Sequence, residues 1–294
     1  MNKDNYHKKC LICNSDKINN LIGYEKHNLV KCNGCGFVFM KQIPTLTELT
    51  NYYGNYTYDR ETILSPLTIK SYNLLLDEFE KFRKNNTILD VGCGLGFFLE
   101  VAKKRGWKVY GTEYSSKAVE ICNSKNIEMK TGKLNLNDFD ENCFDVITSF
   151  EVIEHINNPI EDLKLINKFL RKQGLFYCTT PNFNSIMRYY LKEKYHVICY
   201  PEHLSYYTKK TLNKVITNSN FSVYKFLSTG ISISGIKSST GNINIEQESQ
   251  ITSDEVLRQN IDKNWLLHIG KKFANYLFTL TNTGLTLKGY YIKK

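Results

Sequence analysis

The stretch Ile88-Leu89-Asp90-Val91-Gly92-Cys93-Gly94-Leu95-Gly96 constrains this chain more than any other, because an apolar run closes on an acid and three alternating glycines. Ile88 to Val91 reads as a short buried strand, and Leu95 to Arg105 carries apolar residues at helical spacing. The glycines therefore lie at a strand-to-helix junction, where they let the backbone turn tightly and approach a ligand. The N–H groups at the helix start then face that ligand. No Gly-Lys-Ser/Thr follows, which excludes a phosphate-binding P-loop. Asp90 sits just before the first glycine, where a carboxylate repels a pyrophosphate and suits a cationic group instead.

The next expected strand, Lys108 to Thr112, ends in Glu113, where an acid can hydrogen-bond a ribose diol. Further strands are expected over Asn126 to Thr131, Phe144 to Phe150, Gly174 to Thr180 and Phe221 to Leu227. Helices are expected over Pro159 to Arg171 and over Thr208 to Ser219, the latter capped by Thr208. Strands alternating with amphipathic helices imply an α/β fold with a parallel sheet covered on both faces.

The string LDVGCGLG, followed 17 residues after its last glycine by Glu113, resembles the class I S-adenosylmethionine-dependent methyltransferases. That resemblance implies a Rossmann-like seven-stranded sheet over roughly residues 66 to 294, with Leu287 to Lys293 as its antiparallel seventh strand. It also implies that Gly92, Gly94 and Gly96 pack on S-adenosylmethionine, that Asp90 lies near its amino acid moiety, and that Glu113 holds the ribose hydroxyls. Tyr114 and Phe150 complete the implied cofactor set. The competing readings of the glycine turn are an NAD-binding Rossmann domain and a chance glycine turn.

Before this region, Cys10, Cys13, Cys32 and Cys35 form two CxxC pairs separated by 18 residues. Two-residue spacing lets both thiolates of a pair reach one ion, with Gly34 and Gly36 supplying the turn, so a closed structural zinc site is expected. So small a module has little core of its own, and metal binding would supply much of its folding free energy. A zinc ribbon ahead of a methyltransferase domain also resembles bacterial sugar methyltransferases, including deoxysugar C-methyltransferases. The expected division is a zinc ribbon at 1–45, a tyrosine-rich linker and lead-in helix at 46–85, and a methyltransferase domain at 86–294. Tyr58, in the linker cluster Tyr52 to Tyr58, is a site candidate; packing of these rings between modules explains the cluster equally.

Chemistry is expected at the carboxyl ends of the fourth and fifth strands, where the chain reads Phe150-Glu151-Val152-Ile153-Glu154-His155-Ile156. On a helix, Glu151, Glu154 and His155 would share one face and could ligate a divalent ion. His203, in Pro201-Glu202-His203-Leu204-Ser205-Tyr206-Tyr207, supplies a further candidate ligand or base. The ExxEH pattern with a later histidine resembles metal-dependent O-methyltransferases of small RNAs and of the ubiquinone pathway, which implies ion ligands at Glu151, Glu154, His155 and His203. Glu202 to Tyr207 resembles instead the segment of sugar C-methyltransferases whose histidine is a base. Glu154-His155 also occurs in metal-free methyltransferases, with the histidine as base.

These readings make O-methylation of a hydroxyl on a sugar or other small metabolite the expected activity, with His155, His203 and Glu154 as catalytic candidates. Sugar C-methylation, RNA 2′-O-methylation and a non-catalytic binding role are the alternatives. The formal charge of +10 is dispersed, with no dense basic block, which argues against nucleic acid. No apolar run reaches membrane-spanning length and the segment MNKDNYHKKC is polar, so a cytoplasmic location without membrane insertion is expected. A late helix from Ser253 to about Thr281 is expected as an insertion, with Ile261, Trp265, Leu266, Ile269 and Phe273 forming a stripe that packs on its own domain.

Overall fold

The computed structural model describes residues 5–54, 64–232, 234–236, 254, 257, 260–261 and 264–294. Tyr58 and Ser253 lie outside the described residues. In chain order the strands are β1 (Ile18–Asn20), β2 (Leu29–Cys32), β3 (Val38–Met40), β4 (Thr87–Val91), β5 (Lys108–Glu113), β6 (Glu128–Thr131), β7 (Phe144–Phe150), β8 (Leu170–Pro181), β9 (Ser205–Tyr206), β10 (Phe221–Thr229) and β11 (Thr286–Lys293). The helices are α1 (Leu46–Gly54), α2 (Pro66–Phe79), α3 (Phe97–Lys104), α4 (Ser116–Ser124), α5 (Pro159–Phe169), α6 (Ile186–Leu191), α7 (Lys209–Thr217) and α8 (Trp265–Thr281).

A mixed seven-stranded sheet runs in the order β10-β11-β8-β7-β4-β5-β6. Its strands β8, β7, β4, β5 and the edge strand β6 pair in parallel, and β4 and β7 are buried over nearly their whole length, as their largely apolar runs demand. The chain moves from β4 to β5 and β6 on one side, then returns to lay β7 on the other side of β4. The order thus reverses beside β4, where open α/β sheets form a crevice at their carboxyl ends. The buried Asp145 on β7 is satisfied locally: its carboxylate accepts from the N–H groups of Lys84 and Asn85 at 2.8 and 2.7 Å and from Arg171 Nε at 2.7 Å.

Several boundaries differ from expectation for local reasons. The helix expected to reach Arg171 stops at Phe169, because Leu170 is already extended and pairs with Phe144. The third strand of the main sheet begins at Glu128, since Asn126 takes a left-handed φ of 55° just after α4.

The chain divides into two compact units, one comprising Met1–Pro44, Thr180–Leu212 and Phe226–Lys288, the other Thr45–Thr179, Asn213–Lys225 and Gly289–Lys294. In the first, β1, β2, β3 and β9 form an antiparallel sheet. The cysteine module does not stand alone there. Leu29, Val38 and Met40 share a core with Phe183, Met187, Leu191, Tyr195, Leu204 and Tyr206 from the chain after β8. Apolar packing therefore contributes to its stability beside any metal, through a core that the module completes with residues from later in the chain. In the same unit α8 begins after Asn264, whose side chain accepts from Leu266 N–H and Leu267 N–H. Trp265, Leu266, Ile269 and Phe273 are all exposed, so the stripe is not packed as expected.

Candidate active site

Within the second unit the glycine turn follows β4 as the alternating pattern requires, with φ of 71° at Gly92, 54° at Gly94 and 72° at Gly96. Two of these glycines answer to packing. A methyl group at Gly92 would lie 2.6 Å from Val152 Cγ2, and one at Gly96 would lie 2.7 Å from Ile127 Cδ1 and 2.9 Å from Cys122 Sγ. Gly94 has nothing within 4 Å of that position, so its backbone faces open space.

Around that opening the two acids are held differently. Asp90 is buried, and its Oδ1 accepts from the Thr148 hydroxyl at 2.7 Å. Burial pushes its carboxyl up to about 7, with Thr148 opposing the rise and the charge of Glu113 adding to it. Glu113, at the end of β5, accepts from Gly94 N–H at 3.0 Å through one oxygen, and from the N–H groups of Tyr114 at 2.8 Å and Ser115 at 3.2 Å through the other. The carboxylate and the glycine turn are thus locked to each other. Tyr114 is exposed at the next position, and Phe150 packs edge-on against Phe98, ring centroids 5.0 Å apart.

Two further neighbours of Asp90 carry no motif in the sequence. Thr148 is a polar residue in the buried run Phe144–Phe150, and that anomaly was its visible signal. Tyr72, on α2, packs against Phe98 and Phe150; burial, then the charge of Asp90, raises its phenol. Its helix gave no motif.

The segment after β7 does not form the expected helical face. Glu151 adopts a left-handed φ of 52°, and its N–H donates to Thr179 O at 3.1 Å. Only Ile153–His155 is helical, as a single 3-10 turn. Glu151 is exposed, whereas Glu154 is 2% exposed and sits 3.9 Å from His155 Nε2. The tight hand-over from strand to turn takes Glu151 off the i, i+3, i+4 face expected of an α-helix, leaving Glu154 and His155 together on the 3-10 turn.

The other candidates lie in the first unit. The four cysteine sulfurs converge, with Cys10 and Cys35 Sγ 3.5 Å apart and Cys13 and Cys32 Sγ 3.5 Å apart, which is compatible with a tetrahedral zinc ion. Burial opposes ionisation of Cys32, yet the N–H groups of Cys35 and Gly34 and the Cys13 thiol hold it down at about 7. Gly36 takes a φ of 82° in the second knuckle; Gly34 needs no such conformation and meets the Cys13 and Cys32 sulfurs at ordinary contact distance. His203 is half-buried, with Nδ1 2.7 Å from Val197 O, and burial lowers its affinity for a proton.

A family profile described as a methyltransferase domain matches residues 64–225, more than half of the chain. The chain belongs to this methyltransferase family. Among curated relatives, the ubiquinone biosynthesis O-methyltransferase of Pelagibacter ubique (strain HTCC1062) is 30% identical over 131 residues, 42% of this chain and 51% of that protein. Its counterpart in Alkalilimnicola ehrlichii is 31% identical over 104 residues, 33% of this chain and 42% of that protein. The chain thus spans about half the length of the curated relatives it matches. A SAM-dependent methyltransferase from Archaeoglobus fulgidus superposes with a TM-score of 0.51 at 15% identity, covering 77% of this chain and 93% of that one. Geranyl diphosphate C-methyltransferase from Streptomyces coelicolor A3(2) gives 0.53 at 12% identity, covering 81% and 86%. These likenesses establish the fold. The chain carries a methyltransferase domain with the fold seen in S-adenosylmethionine-dependent methyltransferases, and among its described residues no helix is long and apolar enough to cross a membrane.

Proposed function

We propose that this enzyme methylates a hydroxyl oxygen of a small metabolite, with His155 as the base. The observation that carries this reading is the Glu154–His155 pair: a carboxylate 2% exposed lies 3.9 Å from an imidazole nitrogen, one turn beyond the carboxyl end of β7. A buried acid beside a histidine stabilises the imidazolium that forms when the ring takes a proton. The curated relatives named as O-methyltransferases favour oxygen as the acceptor atom.

S-adenosylmethionine supplies an electrophilic methyl group on a sulfonium. The chain's own part is to hold that group and prepare the nucleophile. Gly94 opens the turn, Gly92 and Gly96 keep its shape, and Glu113, already fixed by three N–H groups, presents a carboxylate to the ribose hydroxyls. Asp90 would meet the cationic amino group, and Phe150 and Tyr114 would border the adenosine. An alcohol is a poor nucleophile until its proton leaves, and His155 removes it as the methyl transfers.

We further propose that zinc occupies the four-cysteine cluster and acts structurally. The hairpin it closes contains β3, and β3 pairs with β9, which begins two residues after His203.

The test is to incubate enzyme and S-adenosylmethionine with a panel of hydroxylated glycosides and phenols and to identify products by NMR. An O–CH3 resonance that disappears in His155→Ala is expected. A new C–CH3 product, or an undiminished rate in His155→Ala, overturns the reading.

A further inference from the structure

Three side chains of one short loop converge outside both the glycine-turn site and the four-cysteine cluster. We propose that Cys199, Glu202 and His203 form a second metal site, built for a borderline-soft divalent cation such as zinc. The proposal goes beyond the acceptor reading and does not rest on it.

The geometry is local. Between α6 and β9 the chain reads Cys199-Tyr200-Pro201-Glu202-His203, and the His203 N–H donates to Cys199 O at 2.8 Å, folding the segment back on itself. That turn brings one donor atom from each of Cys199, Glu202 and His203 within 4.8 Å of the others. The edges of a tetrahedral zinc site are about 3.5 Å, so closure onto an ion asks for movements of roughly an ångström. Cys199 Sγ is already 3.4 Å from Glu202 Oε2.

The histidine is prepared for ligation. Val197 O can only accept, so His203 donates from Nδ1 across 2.7 Å and carries its lone pair on Nε2. A backbone carbonyl behind the imidazole is the usual outer support of a metal-bound histidine; it sets both tautomer and ring orientation. A neutral imidazole is the form that binds metal.

The donor set selects the ion. One thiolate, one carboxylate and one imidazole match zinc, whereas magnesium and calcium prefer oxygen donors throughout. Three protein ligands leave a fourth position for water or for a ligand oxygen, unlike the closed set at Cys10, Cys13, Cys32 and Cys35. The Cys199 thiol proton leaves to solvent as the ion binds.

The full chain, stripped with chelator, reloaded with zinc and desalted, is assayed by elemental mass spectrometry. Two equivalents per chain are expected, falling to one in Cys199→Ser and in His203→Ala. Each variant must keep one equivalent and the wild-type melting profile, which shows that the four-cysteine site and the fold survive. One equivalent in the wild type, or two in both variants, overturns the proposal. Cobalt(II) titration of the wild type gives a measurement free of any folding change. Two spectral classes, one with four-thiolate and one with weaker single-thiolate charge-transfer absorption, support the site, and a single four-thiolate class overturns it. Methyl transfer is not the readout, so failure of the acceptor reading leaves this result distinct.

Discussion

Thr148 on β7 stands in register with Asp90 on β4, and its hydroxyl donates to the buried Asp90 carboxylate at 2.7 Å. This bond holds an acid in the centre of the sheet that burial would otherwise keep protonated. Asp90 rises from an ordinary 3.8 to about 7, so the folded protein binds a proton there that the unfolded chain has already released. Its contribution to stability is full below the unfolded value and is lost as pH rises through about 7. Binding of a cationic cofactor favours the ionised form. Affinity for S-adenosylmethionine should therefore rise about tenfold per pH unit below 7 and flatten above it. Calorimetric titration across that range checks this, and Asp90→Asn should remove the slope as well as weaken binding.

The parts of this site visible in the sequence were those tied to backbone necessity. Glycines at Gly92 and Gly96 mark positive φ and close packing, and Glu113 marks the end of β5, so the turn and its acid were legible from spacing. Thr148 and Tyr72 were not, because their roles arise from strand register and helix packing between distant segments. The helical face drawn through Glu151, Glu154 and His155 failed for a related reason. A left-handed residue directly after a strand breaks the 3.6-residue period, and glutamate carries no sequence mark of that conformation. The shared core of the cysteine module was equally hidden, since it joins residues more than a hundred positions apart.

Gly94 and Gly96 should separate binding from folding. Gly96→Ala forces a methyl onto Ile127 and Cys122 and should cost about 1–3 kcal/mol of stability from overpacking, in addition to left-handed strain. Gly94→Ala meets no atom within 4 Å and should lose only the strain, about 1–2 kcal/mol. Its methyl nevertheless projects into the open space of the turn, so cofactor affinity should drop roughly tenfold or more. Thermal unfolding and cofactor titration of the two variants should rank them in opposite orders. A Gly94→Ala enzyme that binds S-adenosylmethionine normally would show that the opening is not the cofactor site.

Removal of metal from the four-cysteine cluster should reach His203 through the sheet. The Cys32 knuckle ends β2, β2 pairs with β3, and β3 pairs with β9 at Val38–Tyr206 and Phe39–Ser205. The Tyr206 hydroxyl in turn donates to His203 O at 3.0 Å. Cys13→Ser should therefore raise hydrogen exchange in β2, β3 and β9 and in the loop at 199–203, while exchange in β4 and β5 stays at the wild-type level. The shared core with Phe183, Tyr195 and Leu204 should keep this unit folded, so partial rather than complete deprotection is expected.

His155 and Glu154 should differ in kind when replaced. His155→Ala removes the base and should lower kcat by about 10²–10⁴, with little change in cofactor affinity, because neither Asp90 nor Glu113 is touched. Glu154→Gln keeps the shape of the buried side chain but removes the charge that stabilises the imidazolium, so a smaller loss is expected. The base must be neutral to act, and a nearby carboxylate favours its charged form. Loss of that carboxylate should shift the acidic limb of the kcat profile to lower pH while reducing its plateau. A limb that does not move in Glu154→Gln would separate Glu154 from the titrating group and leave it a packing role beside Ile153.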